Sequence, residues 1–316
     1  MKYCWEHVDE MMEYRTSIGY SLQPMKWYLL DFSRYLKTRF PEETQITEEM
    51  VMKWCEKRET EQNVSYRSRI SALKQYTLFL HAKGVCDFIL STDFLPRVER
   101  YTPHIFTDDE LLAIFNLADS KLKSNPSGQK ELIISVIFKL IYFCGLRPNE
   151  GRELLISDVN ISQRTLFIHR NKAHKERLIP MADDVAEMIF RYIEILLSIN
   201  HDTTYLFPSP SKKCYSHKWL RTEFVSLWSE VKGTNNIPRV RVYDLRHRWA
   251  TATMIRFLNN GEDLFDVLPY MSAYMGHQNF EDTAYYIHLL PEKLLKSKKI
   301  DWEKLSSLIP EVKYDQ

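Results

Sequence analysis

The sequence predicts a mainly α-helical protein of two domains, with one small β-hairpin in the second domain. Apolar residues recur with helical spacing over most of the chain, and only 8 of the 316 residues are glycine, which disfavours architectures rich in tight turns. The helical pattern is lost once, between residues 91 and 103, where two prolines fall in a polar segment. This chain is long enough for each domain to bury a core.

Composition excludes several classes of protein. Five cysteines are an odd number without a close pair, so we expect neither a disulfide framework nor a metal cluster. The most hydrophobic run, residues 132–146, contains Lys139 and is too short for a bilayer, and residues at the N-terminus lack the apolar core of a signal peptide. We therefore expect a cytoplasmic protein. A net charge of +1 says little about partners, because charges of opposite sign can segregate on different faces.

Residues 1–92 are predicted to form a helical bundle. One amphipathic helix is marked by Trp27, Leu30, Phe32, Tyr35 and Leu36, and a second helix begins at Thr47-Glu48-Glu49. A third spans Ser65 to His81 and ends before Gly84. Three basic residues of the third helix are predicted to lie around its apolar face, namely Arg67, Arg69 and Lys74.

Residues 93–104 are predicted to be an interdomain linker, and residues 105–316 the second domain. A helix begins at Thr107, which forms a capping box with Glu110. The apolar helix after it ends at Gly145, and Pro148 begins the next one. Arg147 is therefore predicted to lie in the joint between two helices.

Two short strands, residues 164–170 and 176–180, are predicted to form the hairpin, with Lys172 and Lys175 in its turn. Helices follow over residues 182–198 and 218–231. Asp244 is the predicted N-cap of a further helix, which places Arg246 in its first turn, where phosphate binds well.

Near the C-terminus, Gly276 is a predicted helix end and His277 lies in the turn that follows. Asn279 is the predicted N-cap of a last helix, which carries Tyr285 and Tyr286. Neighbouring residues of a helix point about 100° apart, so only one of the two tyrosines can face the arginines.

These motifs, in this order, resemble the catalytic domain of the tyrosine recombinases, the phage-integrase and Xer type of site-specific DNA recombinase. The resemblance runs over about residues 105–290 and depends on residues 145–150, 172–180, 244–247 and 275–277, followed by Tyr286. It implies a six-residue catalytic set of Tyr286, Arg147, Lys172, Arg246, His277 and Tyr243. Tyr243 departs from the pattern, because the family usually has a histidine there.

The resemblance also implies the roles. Tyr286 is the expected nucleophile that forms a 3′-phosphotyrosine, and Tyr285 a packing residue. Arg147 and Arg246 would bind the two non-bridging oxygens of the phosphate, with His277 as a further donor and Tyr243 as a phosphate contact. Lys172, or else Lys175, would protonate the leaving 5′ oxygen. This chemistry requires neither a metal nor another cofactor.

Expected partners are double-stranded DNA recombination sites and three further copies of the chain, with accessory proteins and no membrane. The N-terminal bundle resembles the family's core-binding domain, and its basic residues, with Lys175, are either DNA contacts or a solvated face. The amphipathic segment 300–309 would dock on a neighbouring copy or on its own domain. The expected function is recombination for a mobile element, by integration or transposition, or for chromosome resolution. The alternatives are a DNA-binding protein that has lost catalysis and a helical interaction protein unrelated to DNA.

Overall fold

The computed structural model describes residues 3–20, 25–97, 101–169, 176–200, 202–233 and 237–290. The chain divides into two compact units, Met1–Tyr101 and Thr102–Gln316. Helices dominate both units, and a three-stranded antiparallel sheet belongs to the second. The predicted mainly α-helical fold class is confirmed.

The described part of the first unit contains four helices: α1 (Glu6–Ser17), α2 (Lys26–Arg39), α3 (Glu48–Cys55) and α4 (Asn63–Ala82). Thr47 caps α3 as predicted, because its hydroxyl accepts the Met50 amide. The first predicted amphipathic helix is α2. Leu29, Phe32 and Leu36 form the buried stripe of α2, whereas Trp27 is 74% exposed. Trp27 and Leu29 are two residues apart, so their side chains point about 200° apart around the helix axis.

Arg69 was predicted to lie outside the apolar face of α4, and this prediction is wrong. Arg69 follows the spacing of Leu73, Tyr76 and Leu80, which turns it into the core, and none of it is exposed. Its Nε and Nη2 bind both carboxylate oxygens of Glu61 at 2.8 and 2.7 Å, and the Trp54 and Glu56 carbonyls accept its other bonds. A side chain held in this way cannot reach a DNA phosphate.

The second unit begins with α5 (Asp108–Ser124), α6 (Gln129–Phe143) and α7 (Pro148–Glu153). A 3₁₀ helix (Ile156–Asp158) leads into strands β1 (Val159–Asn160), β2 (Thr165–Ile168) and β3 (Arg177–Pro180). The strands lie in the order β1-β2-β3, with Leu166 opposite Ile179. β2 and β3 are the predicted hairpin strands, whereas β1 was not predicted, since two residues are too few to show an alternating pattern.

Five helices and a second 3₁₀ segment complete the described part of this unit. These are α8 (Asp183–Ile199), α9 (His217–Lys232), α10 (Tyr243–Asn259), α11 (Leu264–Met275), α12 (Glu281–Ala284) and the 3₁₀ helix Tyr285–Leu289. The apolar helix α6 is central and packs against α5, α8 and α10. In the part of the chain that the structure describes, no helix is both long and apolar enough to cross a membrane.

Two predicted N-caps are wrong. Helix α10 begins one residue before Asp244, so Asp244 lies inside the first turn, where its carboxylate accepts the Arg241 amide at 2.8 Å. Phe280, not Asn279, precedes α12, and this helix is a single turn that tightens into the 3₁₀ helix carrying both tyrosines. The proposed C-terminal helix, residues 300–309, lies outside the described residues.

Candidate active site

The joint between α6 and α7 is built around Gly145 and Arg147. Gly145 ends α6 with a φ of +57°, and a side chain there would meet the Trp249 ring at 2.6 Å. The Gly145 carbonyl is thereby free to accept a bond from Nη1 of Arg246 at 2.9 Å. Arg147 is the N-cap of α7, as its neighbour Pro148 predicts, and retains 24% side-chain exposure. The glycine thus brings two arginines from distant parts of the sequence to one place.

Arg246 is completely buried in the first turn of α10. Besides the Gly145 bond, its Nη2 donates to the Met275 carbonyl at 2.7 Å and to Nε2 of His277 at 3.0 Å. Its Nε is buried and bonds to no described residue. Burial lowers the pKa of Arg246, and the Tyr286 and Tyr243 hydroxyls act against this shift. A guanidinium so placed is a strong site for an anion.

Gly276 carries the second half of the site. It ends α11 in the left-handed conformation, and its carbonyl accepts Nη2 of Arg147 at 2.8 Å. His277 follows directly, with Nε2 accepting from Arg246 and Nδ1 therefore donating to the Thr283 hydroxyl at 2.7 Å. Burial and then the charges of Arg246 and Arg147 lower the pKa of His277 to about 3. His277 is consequently a neutral imidazole that holds Arg246.

Tyr286 closes the site and is 2% exposed, whereas Tyr285 is half-buried. The Tyr286 ring lies parallel to the His277 ring, with centroids 6.1 Å apart, and its hydroxyl interacts with Arg246. Burial, followed by Tyr243, raises the pKa of Tyr286 well above its ordinary value, although Arg246 opposes the rise. Of the two tyrosines, Tyr286 is the one beside the arginines.

Tyr243 and His247 lie one turn apart on α10, and both are close to this tyrosine. The Tyr243 and His247 ring centroids are 5.0 Å apart, and those of His247 and Tyr286 are 5.4 Å apart. The family resemblance predicted Tyr243 at this site as a phosphate contact, and it assigned no role to His247.

Glu150 and Arg177 form an ion pair next to Arg147, and the sequence did not predict this pair. Nη1 and Nη2 of Arg177 bind the two carboxylate oxygens of Glu150 at 3.0 and 2.8 Å, and Nη1 of Arg147 shares the same carboxylate at 2.8 Å. Burial would raise the pKa of Glu150, but the bonds from Arg177 and Arg147 hold it at about 2. Nε of Arg177 also binds the Tyr274 carbonyl at 2.8 Å, which fixes the end of α11. Arg177 lay within the recognised motif, but only the fold shows its contacts.

A cleft of about 1140 Å³ opens beside Arg147 and Tyr243. Three exposed arginines that sequence reasoning missed also line it, namely Arg221, Arg239 and Arg241. Four carboxylates line the cleft as well, namely Glu150, Glu153, Asp158 and Asp282. The arginines of its walls are the candidate contacts for a phosphate backbone.

The remaining predicted residues are not part of this cluster. Lys172 and Lys175 lie outside the described residues. In the first unit, Arg67 is exposed and donates to the Pro96 carbonyl at 2.9 Å, and Lys74 is half-buried with Nζ 3.5 Å from the Thr92 hydroxyl. Their role as DNA contacts stays a prediction.

Comparison with known proteins identifies the family. The model of the phage integrase family matches residues 104–293, which is more than half of the chain. A tyrosine recombinase XerD of Rickettsia prowazekii is 27% identical, over 94% of this chain and 96% of its own length. A putative integrase/recombinase of Sinorhizobium fredii is 23% identical over 92% and 95%.

Solved structures share the fold. The integrase of the transposon Tn1549, in complex with transposon right-end DNA, aligns with a TM-score of 0.66 at 13% sequence identity, covering 96% of this chain and all of that one. The chain belongs to the phage integrase family: it is a tyrosine recombinase, an enzyme of site-specific recombination that breaks and rejoins DNA strands.

Proposed function

We propose that the chain cuts DNA through a 3′-phosphotyrosine formed on Tyr286. The observation that carries this proposal is that four side chains lie together. Arg147 binds the Gly276 carbonyl, and Arg246 binds the Gly145 carbonyl, His277 and the Tyr286 hydroxyl. Without a metal, phosphodiester cleavage needs a nucleophile, fixed positive donors for the non-bridging oxygens and a proton for the leaving oxygen. The cluster supplies the first two.

In the proposed step, the Tyr286 oxygen attacks phosphorus while the bond to the 5′ oxygen breaks. Arg147 and Arg246 bind the non-bridging oxygens. Each arginine has five N–H groups, of which the hydrogen bonds described above use two in Arg147 and three in Arg246. Both therefore keep N–H groups for phosphate. Lys172 protonates the 5′ oxygen, a role taken from the family resemblance.

We assign His277 a positioning role. Both of its nitrogens are engaged, one with Arg246 and one with Thr283, so it fixes the guanidinium rather than donating to phosphate itself. This differs from the role that the resemblance implied. It follows from the neutral state of the imidazole, whose Nε2 has no proton to donate.

Tyr286 and Arg246 are both almost inaccessible from outside the protein. Entry of a phosphate therefore requires residues 285–289 to move. This segment is a five-residue 3₁₀ helix, whose hydrogen bonds are poorer than those of an α-helix, so its rearrangement costs little.

We further propose that four copies assemble on two DNA sites and exchange strands in pairs through a Holliday junction. Accessory proteins would set the direction, and the chain would act in the cytoplasm on nucleoid DNA, for a mobile element or for chromosome resolution. In support, one relative carries the name XerD tyrosine recombinase, and a structural neighbour is a transposon integrase bound to transposon DNA.

A nicked DNA substrate that traps the covalent intermediate tests the nucleophile. Incubation with the native chain is expected to give a protein–DNA adduct that survives denaturant, and Tyr286→Phe to abolish it. The matched control is Tyr285→Phe, which removes the neighbouring hydroxyl and should leave the adduct. An adduct that persists in Tyr286→Phe and disappears in Tyr285→Phe would overturn the assignment.

A DNA-binding protein without catalysis is the second candidate, favoured by Tyr243, since a phenol cannot accept a proton as an imidazole does. In that case the native chain would form no adduct, yet its DNA affinity would fall steeply with salt, because bound phosphates release counterions.

A further inference from the structure

A tyrosine nucleophile must lose its proton, and most groups around Tyr286 cannot take it. Arg246 and Arg147 are cations without a lone pair, and Tyr243 is a phenol. The Nε2 lone pair of His277 already accepts the Arg246 N–H, and its Nδ1 proton is donated to Thr283.

His247 is the remaining described neighbour with a basic nitrogen. Its ring centroid is 5.4 Å from that of Tyr286, and its Nδ1 is shielded from solvent and bonds to no described residue. Nitrogen atoms in buried positions are nearly always paired, so an unpaired one on a ring that neighbours the Tyr286 ring points to a function. Its place on α10, one residue after Arg246, fixes it relative to the phosphate-binding arginine.

We propose that His247 is the general base that accepts the Tyr286 proton during DNA cleavage. The inference rests on the proposed function, because it assumes that Tyr286 is the nucleophile. It explains how this chain works with a tyrosine at position 243, since the imidazole is supplied one helical turn later on α10.

The Tyr286 O–H bond breaks and its proton moves to the free lone pair of His247, while an oxygen lone pair forms the bond to phosphorus. The bond between phosphorus and the 5′ oxygen breaks, and that oxygen leaves with its electron pair and takes a proton from the general acid. Rejoining reverses each movement, and His247 returns its proton to Tyr286.

The surroundings of His247 keep its imidazole neutral, so that a ring nitrogen can accept a proton. Burial, then the charges of Arg246 and Arg241, lower its pKa to about 4, so the imidazole is neutral at pH 7. The other groups that face it are Tyr243 on its own helix and the two tyrosines of the 3₁₀ segment. A bound phosphate would offset the arginine charges, which raises the basicity of His247 when the substrate is present.

The test is the rate of adduct formation by the full chain, measured on the nicked substrate between pH 6 and pH 9. In the native chain we expect a rate nearly independent of pH around neutrality. His247→Gln should slow the reaction at pH 7 by about 10²- to 10⁴-fold, the usual contribution of a general base. Its rate should then climb about tenfold per pH unit, because only the rare phenolate reacts. His247→Asn is the second variant, should Gln prevent folding.

A substrate with sulfur in place of the bridging 5′ oxygen separates the base from the acid, since a thiolate leaves without a proton. It should restore cleavage by Lys172→Ala and leave the His247→Gln defect unchanged. A folded His247→Gln that binds DNA and keeps a fast, pH-independent rate would overturn the inference, as would rescue by the sulfur substrate. Loss of the adduct in the native chain would instead refute the proposed function.

Discussion

Among the residues that the structure describes, two arginines are fully buried, Arg69 in the first unit and Arg246 in the second, and their surroundings differ. Arg69 has its own counterion, because Glu61 binds it through two oxygens. Arg246 is held by two carbonyls and a neutral imidazole, and the nearest carboxylate atom, on Glu150, lies 3.8 Å away. Burying a charge costs free energy unless the charge is paired. Arg69 is paired with a carboxylate of the protein, whereas the proposed partner of Arg246 is the DNA phosphate.

The same contrast holds for the carboxylates. Glu61 binds one arginine, whereas Glu150 contacts Arg147 and Arg177 and lies within 4 Å of Arg246. One carboxylate among three guanidinium groups leaves a positive excess in this cluster. That excess matches the charge of the phosphate that the proposed reaction binds there.

Matched methionine substitutions should show the largest difference between the two arginines. Arg246→Met removes donors for the phosphate and should slow adduct formation by at least about 10²- to 10³-fold. Arg69→Met leaves Glu61 buried without a partner and should lower the free energy of unfolding by about 3–5 kcal/mol, with native cleavage by the molecules that remain folded. Urea titration and adduct kinetics measure the two effects. Slow cleavage by well-folded Arg69→Met would contradict the division of roles.

Glutamine substitutions of the two carboxylates extend the comparison. In Glu150→Gln, the amide N–H₂ group faces the guanidinium of Arg177, and three cations lose their anion. We expect a loss of about 3–5 kcal/mol in the free energy of unfolding, together with slower cleavage, because Arg147 is no longer fixed. Glu61→Gln should reduce stability alone. Equal cleavage rates for the two folded variants would show that Glu150 does not position the site.

Acid should destabilise the second unit before the first. His277 and His247 have folded-state pKa values of about 3 and 4, below their ordinary value of 6.5, so the unfolded chain takes up their protons first as pH falls. Stability is therefore complete above about pH 6.5 and falls below it by about 1.4 kcal/mol per pH unit for each histidine. The pKa of Glu61 is lowered by Arg69, so that pair loses its contribution only below about pH 4.5.

Calorimetry from pH 8 to pH 5 measures this difference, with Arg69→Met and Arg246→Met used to assign the transitions to the two units. The transition of the second unit should move to lower temperature by pH 5, and that of the first unit should move less. His247→Gln should reduce the shift. A transition of the second unit that does not move over this pH range would contradict the assigned neutral histidines.

The smallest expected effect concerns DNA binding by α4. Arg67 is exposed, so Arg67→Gln should weaken binding uniformly across sequences and reduce the salt slope by about 1, as expected for one phosphate contact. Arg69→Met, measured at a temperature where it is folded, is the internal control and should keep the native slope. An unchanged slope in Arg67→Gln would show that this arginine belongs to a solvated face.

The sequence predicted the helix ends around Arg147 and His277 better than it predicted the surfaces. Gly145, Pro148 and Gly276 are local signals, because a left-handed helix end and a helix start depend on single residue types, and they placed Arg147 and His277 correctly at helix ends. Arg69 was misplaced because charge suggests exposure, and only the partner Glu61, eight residues earlier, shows that burial is tolerated. Asp244 and Asn279 were wrong as caps because a cap depends on backbone geometry as well as residue type.

The sequence by itself determined the helical class, the family and the order of the reactive residues, since these depend on local periodicity and on motifs at fixed spacing. Only the tertiary structure decided which charges are compensated. It paired Arg177 with Glu150, placed Arg246 3.8 Å from that carboxylate without a hydrogen bond to it, and set His247 beside Tyr286. These are contacts between residues far apart in the chain, and the cost of burying a charge depends on every neighbour that the fold brings to it.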